Sequence, residues 1–497
     1  MLFTQPTFLF VFLPALLALY FLVVAVANRG AGSADLNAAN AILVLASLVF
    51  YAQGAGHYIW LLCGSIVVNW WVAAAIDRAH AEAAGPSSNR PKTLLVCGVT
   101  ANLLVLGVSK YVNFFAGNFG TLSLALGKQP LGAGVLLPLG ISFLTLHAIS
   151  YLVDVYRRDG RAKRRLVDAA LYLAFFPPLI AGPIVHYRDF AHQMSERVVG
   201  VGNFVYGVRR VVIGLCKKLL IADVVGVMAD RVFDMPVDRL GAGTAWFGLL
   251  CFTVQMYFAL SGYSDMAIGL GRMFGFRLPE NFRWPYVAET VQEFWRRWMI
   301  SLSTWSRDYL YLPLGGDNVT ADRLFRHVPV AAVFVLCGLW HGTSWNVVGW
   351  GLYHGTFIVL ERAGLALTIK QLPAPLRHVY LIVVVMIGWV FFRARSVLAA
   401  LVFVNALAGL QTSSAPAFAL QPHPSVYFWM ALLAGLTASA PLVGSVSRWR
   451  VTIDAATVSA LAMLFATGVF IWSSLRSLVS SFSHHEGTKP TKLKPKA

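Results

Sequence analysis

The sequence predicts an all-α polytopic membrane protein. Hydrophobic residues make up 58% of the 497 residues and charged residues 12%, with a mean hydropathy of +0.66. Soluble domains carry roughly a quarter charged residues. Apolar runs of spanning length recur along the chain. Two imidazoles, His341 and His354, sit inside such runs, where an ionisable group is costly and marks a candidate functional site.

The runs follow one another near 7–27, 38–53, 57–76, 93–112, 132–155, 166–186, 204–227, 244–271, 328–348, 349–369, 377–393, 397–411, 425–445 and 455–479. The first lacks a basic n-region and exceeds a typical signal-peptide core, although Ala25-Val26-Ala27 resembles a cleavage site. Pro177-Pro178 and Gly182-Pro183 break the run at 166–186, which suggests a re-entrant segment; broken backbone is tolerated at depth when protein buries it. His147 and Gln255 are polar groups in apolar runs and read as packing donors. Asp265 follows Gly262-Tyr263-Ser264 near the end of the 244–271 run and reads as a helix cap. These runs predict about 11–13 transmembrane or re-entrant helices.

Basic residues set the orientation. Arg29, then Arg78, Arg90 and Lys92, then Arg157 through Arg165 fall in alternate loops, and the loops between carry almost no base. This places the N-terminus outside and the C-terminus in the cytoplasm. Residues 1–480 read as a single membrane domain, and 481–497 as a basic, disordered cytoplasmic tail. The net charge of +18 is explained mostly by cytoplasmic Lys and Arg facing anionic headgroups of the lipid bilayer. Nucleic acid is not an expected partner, because the base is spread over short loops rather than gathered in one stripe. The five cysteines lie in apolar runs and read as small core residues. Walker, dinucleotide-binding, zincin and hydrolase-elbow motifs are absent, so no metal site is expected.

The longest polar interruption, 272–326, holds eight arginines and no lysine. Within it, residues 288–306 predict an amphipathic helix. Val291, Phe294, Trp295, Trp298, Leu302 and Trp305 form its apolar stripe, suited to lying against a membrane or a membrane-domain surface. Arg296, Arg297 and Arg307 then either anchor the segment at the interface or bind phosphates, for which the arginine fork is apt.

Several ordered stretches stand out: Leu137–Phe143 with Ser150–Arg157, Phe175–Pro177 with Ala181–Ile184, Gly262–Gly269 and Pro279–Phe282. Phe294-Trp295-Arg296-Arg297-Trp298, Ser301–Ser303, Arg307–Gly316 and Trp340-His341-Gly342 complete the set. Together they resemble the membrane-bound O-acyltransferase superfamily, and most closely its bacterial alginate O-acetylation branch. The resemblance covers most of 1–410. It implies helices around a central funnel, a cytoplasmic acyl-CoA (acetyl-CoA) donor with no bound cofactor, and a hydroxyl acceptor arriving from the other side. It further implies the bacterial inner membrane, an extracytoplasmic partner of SGNH-hydrolase type and a polysaccharide-biosynthesis complex that O-acetylates an exopolysaccharide or cell-wall glycan. The essential histidine maps onto His341. The branch normally has a second histidine after Phe-Trp-Arg-Arg-Trp, where this chain has Met299, and a thioether does no acid–base work.

A neutral imidazole at His341 suits a general base for an alcohol attacking a thioester. Trp340, Trp345, Asn346 or a backbone N–H are candidate oxyanion donors; His354 and Asp265 are further supporting candidates. Two rival classes are a polysaccharide or lipid transporter, for which no repeat or charge-paired pathway is evident, and a non-catalytic scaffold, which Met299 favours.

Overall fold

The computed structural model describes residues 2–27, 36–82, 89–125, 140–316, 327–410 and 424–441. Every regular element among them is helical, as expected. The run at 455–479 and the tail lie outside the described residues. The first helices are α1 (Leu13–Ala27), α2 (Asn37–Ala55), α3 (Ile59–Glu82), α4 (Arg90–Ala125) and α5 (Ile141–Arg157). Shorter pieces follow: α6 (Leu166–Ala174), α7 (Phe176–Leu179), α8 (Tyr187–Ala191) and α9 (Gln193–Glu196). Next come α10 (Val201–Cys216), α11 (Asp223–Phe233), α12 (Ala242–Met273), α13 (Val291–Arg297) and α14 (Ile300–Ser306). The C-terminal part holds α15 (Val328–His341), α16 (Trp345–Leu360), α17 (Ala366–Gln371), α18 (Ala374–Arg393), α19 (Val397–Leu407) and α20 (Val426–Ala438).

Among the described residues, five helical segments are long and apolar enough to cross a membrane: Phe8–Ala27, Asn37–Glu82, Arg90–Val112, Ala242–Met273 and Ala374–Arg393. Their outer faces carry exposed Leu22, Leu45, Trp60, Leu104 and Val108. Patches of that kind are a liability in water and suit contact with lipid. The 166–186 run is not one helix: its prolines end α6 at Ala174, and the irregular stretch that follows is almost wholly buried.

Two cores flank α12. One gathers aromatic side chains of the N-terminal half, such as Phe50, Tyr151 and Phe176; the other gathers Phe294, Trp298, Trp350 and Trp389. Met266 and Leu270 of α12 belong to the first, Leu249 and Phe258 to the second. Glycines let α10 approach α12 closely. A Cβ at Gly207 or Gly214 would lie 2.5 Å from the carbonyl oxygen of Gly269 or Gly262.

Two expectations about helical segments need correction. The 288–306 stripe is not a continuous helix. Trp298 is extended and Met299 adopts φ 44°, ψ 54°, separating α13 from α14. The break is imposed by the 281–283 segment. Arg283 N–H donates to the Arg297 carbonyl (3.0 Å) and Ile300 N–H to that of Asn281 (2.9 Å). The Asn281 side chain accepts from Ser301 N–H and Oγ at 3.1 and 2.9 Å. The stripe packs inside the protein, with Val291, Phe294 and Trp298 buried. Asp265 caps nothing, because it lies inside α12. Its carboxylate takes Arg210 Nε at 2.8 Å and Lys217 Nζ at 2.7 Å, and Arg210 also reaches Glu280.

All five cysteines are free, and only Cys251 is buried; Cys97 is exposed on α4. Small apolar character therefore did not confine them to the core.

Candidate active site

His341 is the last residue of α15, and Gly342 beyond it is extended. Its Nδ1 lies 2.7 Å from the Cys337 carbonyl. A carbonyl only accepts, so Nδ1 carries the proton and Nε2 keeps the lone pair. The ring is boxed by Trp340, Trp350 and Phe392 at 4.9, 5.1 and 5.7 Å between centroids. The helix end that carries it is tied down from α4. Buried Lys110 donates to the Trp340 carbonyl and Tyr111 to the Leu339 carbonyl, satisfying groups a helix terminus leaves open.

A cavity of about 550 Å³ opens beside His341. Trp295, Arg296 and Met299 from the first half of the broken segment line it, as do Arg307, Cys337 and Trp350. It thus joins the predicted base to two of the three predicted donor-binding arginines. Arg296 donates to Gln292 at 3.2 Å, and Arg307 approaches Asp308 at 3.7 Å. Arg297 points elsewhere. It does not line the cavity, and Glu293 holds its guanidinium at 2.6 Å.

The remaining candidates stand around this space rather than in it. Trp340 packs edge-on against Phe143, its indole N–H 3.5 Å from the Ser142 carbonyl. The Asn346 amide donates to the carbonyls of Phe391 (3.1 Å) and Ala394 (2.5 Å). This fastens α16 to the end of α18 and commits that amide away from an oxyanion. His354 is fully buried among Trp295, Trp350 and Tyr353. Asp265 belongs to its own ion cluster. His147, read as a packing donor, accepts from Val185 N–H through Nε2 at 3.4 Å, while Gln255 packs its amide against Gly226.

The sequence matches the model of the MBOAT, or membrane-bound O-acyltransferase, family over residues 134–403. This stretch contains α15, the cavity and all three arginines. The chain belongs to this family. A protein named "Probable alginate O-acetylase" from Azotobacter vinelandii is 42% identical over 80% of this chain and 76% of its own length. One of the same name from Pseudomonas aeruginosa is 41% identical, covering 80% and 72%. A peptidoglycan O-acetyltransferase from Helicobacter pylori is 36% identical, covering 82% and 80%.

The protein is therefore a multi-pass membrane O-acyltransferase. Sequence reasoning missed four residues around the O-acyltransferase cavity. Lys110 and Tyr111 left a trace, a lone lysine inside the 93–112 run. Glu361 and Arg362 left none, because an acid and a base at the end of an apolar run read as ordinary interfacial residues. Arg362 lines the cavity, and Glu361 is buried behind it.

Proposed function

We propose that this O-acyltransferase takes an acetyl group from cytoplasmic acetyl-CoA and passes it to a hydroxyl reached from the far side of the membrane, in O-acetylation of an exopolysaccharide or cell-wall glycan. One observation carries the reading: a single cavity has His341 in its wall and guanidinium groups around it. The names of the relatives support the acceptor class, since two are called "Probable alginate O-acetylase" and one a peptidoglycan O-acetyltransferase. An extracytoplasmic partner of SGNH type that receives the acetyl group belongs to the same proposal. So does a place in the bacterial inner membrane with the N-terminus outside.

In this reaction Nε2 of His341 accepts the proton of the acceptor hydroxyl as its oxygen bonds to the thioester carbonyl carbon. The tetrahedral intermediate collapses with cleavage of the C–S bond. The leaving thiolate takes the proton back from Nε2, so CoA leaves as the thiol and the ester remains. Arg296 and Arg307 bind phosphates of the donor through charge-assisted hydrogen bonds.

The test is acceptor-dependent CoA release from acetyl-CoA by the full chain in proteoliposomes. His341→Ala should cut the rate by about 10²–10⁴ while insertion is unchanged. Near-parental turnover by this variant would falsify the assignment. A parent chain that releases no CoA would point to the scaffold or transporter classes.

A further inference from the structure

The cavity wall that carries Arg296 is held from another helix. The first two backbone N–H groups of α13, those of Val291 and Gln292, donate to the two carboxylate oxygens of Glu361 at 2.7 and 2.9 Å. The third, that of Glu293, goes to its own cap residue Thr290 at 3.1 Å. Glu361 is 3% exposed and takes one further hydrogen bond, from the Tyr380 hydroxyl at 3.1 Å. A carboxylate at a helix N-terminus is favourable in charge as well as in hydrogen bonding. Gln292, Trp295, Arg296 and Met299, all on or just beyond α13, line the cavity. Glu361 therefore fixes the wall that aims Arg296.

The next residue faces the opposite way. Arg362 lines the cavity, donates to the Tyr311 hydroxyl at 3.0 Å and lies 5.4 Å from the centre of that ring. Both residues sit on the π-helical turn Glu361–Leu365 that closes α16. Among the described residues neither Arg296 nor Arg362 forms an ion pair with a carboxylate. Among the described residues the cavity lining holds Arg296, Arg307 and Arg362 and no acidic side chain, and only Arg307 has a carboxylate near it, that of Asp308 at 3.7 Å.

We propose that Arg362 is a third phosphate contact for the donor, and that Glu361 is a positioning residue acting through Arg296. The inference rests on acyl-CoA as the donor and extends it to two residues. CoA carries several phosphates, each suited to a guanidinium fork. A phospholipid headgroup offers the same chemistry, so the experiment separates the two.

CoA binding is measured by titration calorimetry on the full chain in nanodiscs of neutral lipid and, as a second arm, of anionic lipid, alongside acetyl-CoA turnover. Arg362→Gln should weaken CoA binding about tenfold, the scale of one charge-assisted hydrogen bond, and Arg362→Lys should recover part of it. Turnover at saturating donor should stay within about twofold, because ground-state binding is what is lost. Glu361→Gln should weaken CoA binding comparably. Combined with Arg296→Gln it should weaken binding no further than Arg296→Gln alone, since coupled residues are not additive. If Glu361→Gln does not fold, Glu361→Asp enters the same cycle. Unchanged CoA affinity in Arg362→Gln, or an Arg362 effect that appears only with anionic lipid, overturns the phosphate contact. An additive double variant overturns the positioning role. If the parent chain neither binds CoA nor turns over acetyl-CoA, the donor reading falls and takes this inference with it. Parental binding and turnover with indifferent variants overturn this inference alone.

Discussion

Met299 is one of three described residues other than glycine with a left-handed backbone, beside Arg158 and Trp284. A side chain at φ 44° occupies the left-handed region, at a cost of roughly 1–2 kcal/mol. Hydrogen bonds to Asn281 and Arg283 on either side hold it there. Histidine enters that region more readily than most residues, so Met299→His should fold as well as the parent. It would also place a second imidazole in the cavity that His341 already lines. The expected outcome is a rise in acetyl-CoA turnover of about tenfold or more, within the range for an added acid–base group. Equal turnover would show that position 299 contributes by packing alone, with methionine filling an irregular gap. The residue types were legible in the sequence: an imidazole and arginines in apolar or aromatic surroundings. Which arginine faces the cavity was not. Arg296 and Arg297 are neighbours of identical chemistry, and one turn of α13 sends the second to Glu293. Glu361 was invisible for a related reason, since its partners are backbone N–H groups 69 and 70 residues away.

The element that matters most for the base is the pair α15–α16. Its two helices touch through glycine. A Cβ at Gly338 would lie 2.7 Å from the Val347 carbonyl oxygen, and one at Gly351 would overlap the Phe334 carbonyl. This closeness sets Trp350 against His341. Gly351→Val should force the helices apart and lower turnover by about 10²-fold, as misplacement by an ångström can do, with the protein still expressed. Gly349→Ala is the comparison, because its Cβ would meet only Phe391 at 3.8 Å, and its turnover should match the parent. Equal losses at both positions would remove the packing argument. Helix existence was readable from the apolar runs here, while the break between α13 and α14 was not. No glycine or proline marks it. It is a tertiary effect, exerted by a segment that passes alongside, and the aromatic spacing continues through it undisturbed.

At the scale of the molecule, composition alone placed the chain among polytopic membrane proteins, because so few charged residues cannot cover a soluble fold of this length. The division into two cores on either side of α12 was beyond such reading. It depends on which faces meet, and α12 is apolar nearly all round. The proposed orientation rests on the basic loops and has a direct test. In the proposed topology, Ser481→Cys, at the start of the basic tail, should resist an impermeant thiol reagent in intact cells and react after lysis. Labelling of intact cells at that position would reverse the orientation or change the parity of the crossings.

His341 is steadied by a carbonyl of its own helix, and among the described residues no carboxylate lines the space in front of it. A protonated ring would therefore have a peptide dipole for company, with an ammonium group, that of Lys110, held at the adjoining carbonyl. Such a site is poor at storing charge. In the proposed reaction the proton must be lent and returned within one turnover, so acetyl donor and hydroxyl acceptor have to be present together. On that proposal the enzyme would hold no acetyl group in waiting: with its acceptor scarce it would idle, and the thioester would be spared.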